Sequence, residues 1–130
     1  MSSDISEESL LSSALDNYIL ENYDSALTQL NSLINKGATS QNKSEYLLYR
    51  AVCLYKQGKF DDSLKDLDEI EKDANFKKEQ NYYLVRGKVL YYLCKFEDSK
   101  KALNTGLELN KGNINVFNDW IKKVEDELKQ

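Results

Sequence analysis

Apolar residues recur along the chain at three- and four-residue steps, and short polar segments interrupt them, so the pattern predicts a succession of amphipathic helices. Its clearest part is written three times: NYILENYDSALTQLNSLI (17–34), CLYKQGKFDDSLKDLDEI (53–70) and VLYYLCKFEDSKKALNTGL (89–107). In each, an aromatic (Tyr23, Phe60, Phe96) precedes a small residue by three places (Ala26, Ser63, Ser99), and a leucine follows four places later (Leu30, Leu67, Leu103). The small residues recur at intervals of 37 and 36. At 3.6 residues per turn all three positions share one stripe, and the small residue lets two backbones approach closely. Each unit therefore predicts a helix, a tight turn and a second helix. The first helices are expected over about 8–20, 43–56 and 78–93, the second over about 24–36, 61–73 and 97–110. Gly58 in QGKF supplies a permissive backbone for the turn; Glu21 and Cys94 hold its place in the other units.

The repeated unit resembles the tetratricopeptide motif. That resemblance implies an all-α, right-handed superhelix of three helix-turn-helix repeats, with a concave face lined mainly by the first helices. The usual interval is about 34 residues, so the loops here are longer, and the proline that often ends a unit is missing from all three. An unrelated helical bundle is the alternative. The expected organisation is an acidic tail over 1–6, repeats over about 7–40, 44–76 and 80–112, and a capping helix over 113–130. In that last helix Val116, Phe117, Trp120, Ile121, Val124 and Leu128 share a face opposite Asn118, Asp119, Lys122, Lys123, Glu125 and Glu127. Asn113 or Asn115 is expected to cap its start, and Trp120 to belong to the core.

Composition narrows the function class. The chain has 130 residues, no proline, five glycines and 31% charged residues, which suits one helical domain. A net charge of −4 without a basic face argues against nucleic acid. The opening MSSDISEE lacks the apolar segment of a secretory signal, and no run approaches the ~20 apolar residues that span a bilayer. The expectation is a cytoplasmic and nuclear protein without a membrane partner. There is no histidine, and the two cysteines, Cys53 and Cys94, fall within apolar helical patterns. Both read as small buried hydrophobes kept reduced rather than as metal ligands. With no general base, nucleophile or phosphate-cradling glycine motif, neither enzymatic activity nor a cofactor is expected.

The tetratricopeptide arrangement implies which first-helix positions face the groove. They are Glu8, Leu11, Leu15, Tyr18 and Ile19; Glu45, Leu48, Val52, Tyr55 and Lys56; and Asn81, Leu84, Lys88, Tyr91 and Tyr92. Leu11, Leu15, Tyr18, Leu48, Val52, Tyr55, Leu84, Lys88 and Tyr91 are the candidate partner-binding residues. Leucine and tyrosine supply burial, and Lys88 with Lys56 supplies charge for acidic residues on a partner. Tyr46 and Tyr49 are expected on the flanks. Two alternatives stay open: the short solenoid curls so that these side chains form core, or the groove mediates a homodimer. Chaperone adaptors of this fold grip a partner's terminal carboxylate with Lys and Asn in the first unit's first helix, Asn in the second unit's, and Lys and Arg in the third's. The matching places here hold Leu11, Leu15, Tyr49, Asn81 and Val85, which excludes that clamp. Arg50 and Arg86, one residue along, are expected to pair with Asp or Glu between helices.

The segments RAVC (50–53), RGKVLYYL with TGLEL (105–109), and Phe117-x-x-Trp120-Ile121 directly after the third repeat narrow the likeness further. In this order the chain resembles, over about residues 7–125, the N-terminal tetratricopeptide domain of the SGT-one co-chaperones (suppressor of the G-two allele of SKP-one). The resemblance implies a non-enzymatic adaptor that recruits SKP-one, the linker subunit of SCF ubiquitin ligases and kinetochore complexes. The HSP-ninety chaperone would be reached only through further domains absent from these residues. A generic or self-associating adaptor with another protein partner is the alternative.

Overall fold

The structure, a computed structural model, describes residues 6–36, 40–109 and 111–130, with the side chains of all of these except 40 and 41. The acidic segment expected over 1–6 lies outside the described residues apart from Ser6. Seven helices and no strand occur among the described residues: α1 (Glu7–Ile19), α2 (Tyr23–Asn35), α3 (Ser40–Lys56), α4 (Phe60–Glu71), α5 (Gln80–Tyr92), α6 (Phe96–Glu108) and α7 (Ile114–Leu128). Ser6 caps α1, its hydroxyl accepting from the Ser9 N–H at 3.1 Å. Acidic residues in the first turns of α1, α4 and α6 suit the positive end of the helix dipole.

The three hairpin turns share one backbone solution. Glu21, Gly58 and Cys94 have φ of 63°, 76° and 61°. The residue after each donates its N–H to a carbonyl five places back: Asn22 to Asn17, Lys59 to Leu54 and Lys95 to Leu90, all at 2.8 Å. The left-handed residue itself donates three places back, which completes the double hydrogen bond of a Schellman cap. Glycine occupies this conformation freely; glutamate and cysteine adopt it under strain.

Beyond each turn the two helices meet where both carry small residues. Ala14 and Ala26 share the first core, Ala51 faces Ser63 and Gly87 faces Ser99, and all six are buried. The Ser63 hydroxyl donates to the Ala51 carbonyl at 2.8 Å, and Ser99 to the Gly87 carbonyl at 2.6 Å. A methyl on Gly87 would lie 2.5 Å from Leu103, and one on Gly106 would lie 2.5 Å from Phe117. Gly106 therefore lets α7 close against α6.

Successive hairpins stack through a longer second set of contacts. α3 rests on α2 and α4, α5 packs on both α3 and α7, and α2, α4 and α6 make no comparable contact with one another. The first helices thus form the tighter inner layer and the second helices the outer one. A central core joins Leu47, Ala51, Val52, Leu67, Ile70, Tyr82, Val85 and Val89 across α3, α4 and α5. Tyr82 is fully buried, its hydroxyl donating to Glu71 and lying 3.2 Å from the Leu67 carbonyl. The longer loop after α4 is tied down as Asp73 accepts from Ser44 at 2.6 Å and from the Asn75 N–H at 3.1 Å, while Phe76 packs on the central core.

Three expectations need correction. Cys53 is buried, with burial pushing its thiol up to about 11, but Cys94 is exposed because it occupies a turn rather than a helix. Asn113 precedes α7 in a left-handed conformation without a side-chain cap; its amide instead points to Gln80 Oε1 at 3.4 Å. On α7, Phe117 and Val124 are buried, whereas Val116 and Leu128 are 41% and 37% exposed at the edges of the stripe.

The shared turn geometry sets an ordering that urea unfolding will measure. A Cβ at Gly58 would touch nothing within 4 Å, so Gly58→Ala isolates backbone strain and should cost about 1 kcal/mol. Glu21→Gly and Cys94→Gly should each stabilise by about 0.5–1 kcal/mol. Opposite signs in either case would mean that the turns do not share this conformation.

Candidate functional site

Each candidate tyrosine has a structural duty. Tyr18, Tyr55 and Tyr91, near the C-terminal ends of α1, α3 and α5, lie five residues before the first aromatic of the next helix. Tyr18 meets Tyr23 at a centroid distance of 6.1 Å, Tyr55 meets Phe60 at 5.8 Å, and Tyr91 meets Phe96 at 5.6 Å, all edge-on or tilted. These pairs close the hairpins over the Schellman turns.

Between hairpins the rings join into one ladder. Tyr92 stacks on Phe60 at 4.8 Å with planes 6° apart and also meets Tyr55 at 6.0 Å. Trp120 of α7 then meets Tyr91 at 5.6 Å and Tyr92 at 6.1 Å. Trp120 is half-buried, so it is at once part of the cap's packing and part of the inner surface. Burial, then the neighbouring Tyr92, pushes the Tyr55 phenol up to about 12.

Charge enters this surface through lysines. The Lys88 ammonium lies 5.8 Å from the Tyr55 ring centre and 5.6 Å from that of Trp120, and Lys123 lies 4.6 Å from Trp120. All three distances are within cation–π range. Burial, and then repulsion from Lys56, holds the Lys88 ammonium below the usual lysine pKa.

Of the candidate residues, Leu11, Leu15, Tyr18, Leu48, Tyr55, Leu84, Lys88 and Tyr91 are partly exposed on the inner layer. Val52 is not available: at 7% exposure it is wedged in the central core, because α3 is covered on more than one side. Tyr92, outside the primary candidates, is 46% exposed and links two hairpins. Tyr46 is buried, donating to Glu7 of α1, with its phenol pushed up to about 12 by burial and that bond; Tyr49 packs on the first core. Arg50 forms a two-pronged pair with Asp66, at 2.8 and 2.7 Å, and Arg86 lies 2.9 Å from Asp68. Both arginines therefore tie an inner helix to α4, as expected.

No group of three or more His, Cys, Asp or Glu suited to a metal ion occurs among the described residues, and no described helix is long and apolar enough to cross a membrane. The sequence matches no protein-family model and no curated protein. Among solved structures, the crystal structure of the Sgt2 TPR domain from Aspergillus fumigatus is similar, with a TM-score of 0.77 over 95% of this chain and 79% of that one. The chain has the tetratricopeptide fold. Sequence identity to that structure is 14%, so the likeness is one of architecture. In tetratricopeptide terms α1, α3 and α5 are the A helices that line the concave side, and α7 closes its end.

The ladder makes a prediction about coupling. A double-mutant cycle with Phe60→Leu and Tyr92→Leu should give a coupling free energy of about 0.5–1.5 kcal/mol in thermal or urea unfolding. Additive effects would show that the two rings do not stack.

Proposed function

We propose that this chain is a non-enzymatic protein-interaction module whose concave face receives a protein partner. The observation that carries this reading is the row of partly exposed leucines and tyrosines on the A helices, ending at Trp120. Large aromatic and aliphatic side chains on a rigid scaffold have the composition of an interaction hot spot: they offer area at small entropic cost. The tetratricopeptide architecture agrees with that reading, although a fold alone does not name a partner.

The finer reading is that of the SGT-one co-chaperones, with a SKP-one-like subunit as the partner and HSP-ninety reached by other domains. It rests on the Phe117-x-x-Trp120-Ile121 segment following three repeats, together with RAVC and TGLEL. Leu11, Leu15, Tyr49, Asn81 and Val85 stand where the clamp has Lys, Asn, Asn, Lys and Arg, which agrees with a chaperone tail being bound elsewhere. A self-associating module remains the competing reading, since Ile19 and Leu20 are 73% and 70% exposed at the end of α1.

Calorimetric titration with purified SKP-one tests both levels. Saturable binding is expected, with Leu15→Asp weakening it by at least tenfold, about 1.4 kcal/mol, and Glu69→Ala on the outer face of α4 leaving it unchanged. Binding that Leu15→Asp retains would remove the groove; absent binding with a concentration-dependent dimer would favour self-association.

A further inference from the structure

Lys88 is the inner-face residue whose surroundings are incomplete. Among the described residues it makes no ion pair and donates no hydrogen bond, yet it is partly buried between two rings. Carboxylates are not scarce: the chain has 22 Asp and Glu against 18 Lys and Arg. The protein spends them elsewhere. Arg50 takes Asp66, Arg86 takes Asp68 and Lys100 takes Glu125. Helix α5 itself contains no acidic residue. Another cation, Lys56, repels the Lys88 ammonium, and Lys123 also lies 4.6 Å from the centre of the Trp120 ring. A net-negative molecule thus carries a cationic, aromatic-walled spot on its inner face.

An ammonium has three donors, and ring faces satisfy its charge without accepting its N–H bonds in ideal geometry. We propose that Lys88, framed by Tyr55 and Trp120, receives the carboxylate of a Glu or Asp side chain from an internal acidic segment of the protein partner. This deepens the groove reading and rests on it. A single carboxylate matches one ammonium in charge, whereas a doubly charged phosphate is held best with forked arginine donors, and Arg50 and Arg86 are already committed to α4. The segment is internal because none of the five positions that would hold a terminal carboxylate carries the clamp's residue: they are Leu11, Leu15, Tyr49, Asn81 and Val85. Its neighbouring side chains are apolar: Leu84 lies one turn from Lys88 on the same face of α5, and Leu48 lies two turns from Tyr55 on α3. Helix α4, with six Asp and Glu against one Lys, would repel such a segment, whereas Lys and Arg outnumber the acidic residues on α3 and α5.

The test uses short N-acetylated, C-amidated peptides in which leucine alternates with glutamate, and the same peptides with glutamine for glutamate. Trp120 is the single tryptophan of the chain, so its emission reports directly on the site, and calorimetry gives the affinity. The glutamate peptide should bind at least tenfold tighter than the glutamine peptide, and added salt should erode the difference. Lys88→Met should abolish that preference while leaving the glutamine peptide's affinity unchanged, and Lys101→Met on α6 should alter neither. Equal binding of the two peptides, a preference that survives Lys88→Met, or no binding of the glutamate peptide would overturn the proposal. The outcomes separate from those of the groove itself. A partner protein weakened by Leu15→Asp but untouched by Lys88→Met would leave the groove standing and remove only the carboxylate. A partner indifferent to both would remove the groove.

Discussion

The close approach of paired helices at small residues is the constraint on which the remaining architecture depends. Where Ala51 faces Ser63 and Gly87 faces Ser99, the backbones come near enough for a serine hydroxyl to reach the opposite carbonyl. Nothing larger fits at Gly87, where even a methyl would meet Leu103 at 2.5 Å. This contact fixes each hairpin's crossing, and the Schellman turn beyond it fixes the exit angle. Every later contact inherits those two settings, including the placement of Tyr55 against Phe60 and of Tyr91 against Phe96.

Fold and site consequently share side chains. The tyrosines that close the hairpins also lie on the inner layer, held by ring contacts made within the fold. Side chains held in place before association lower its entropic cost. The central core behaves differently: Val52 and Tyr82 are spent on packing, and burial keeps their side chains from any partner. The inner face thus divides into residues committed to the fold, residues with one ring face to spare, and Lys88, whose charge is left without an anion.

Much of this was legible in the sequence because the outer helices carry it plainly. Helices α2, α4 and α6 each have one buried stripe, so the aromatic, small residue and leucine stand out at fixed spacing, and helix limits fall within about three residues of those expected. The A helices are harder to read. α5 is contacted by α3, α4, α6 and α7, and its buried residues Tyr82, Val85, Gly87, Val89 and Leu90 spread around the helix without a single polar side. Helix α3 is likewise covered by α2, α4 and α5, so Val52, which its place in the repeat assigns to the groove, is core, and the Ala14, Ala51 and Gly87 column is signalled only by its twelve-residue offset from Ala26, Ser63 and Ser99. Cys94 has apolar neighbours that suggest a helix interior, while its register with Gly58 points to the turn. The inter-hairpin ladder had no sequence signal, because Tyr92, Phe60 and Trp120 meet only once the stack exists.

The central claim is that the inner layer, and not the outer one, is the surface a partner meets. Amide chemical-shift mapping of the isotope-labelled chain during titration with a purified partner tests it most directly. The account expects perturbations concentrated along the A helices and α7, at Leu48, Leu84, Lys88 and the Trp120 indole, with α2, α4 and α6 little changed. Perturbations confined to α4 and α6, with the indole signal of Trp120 unmoved, would contradict it.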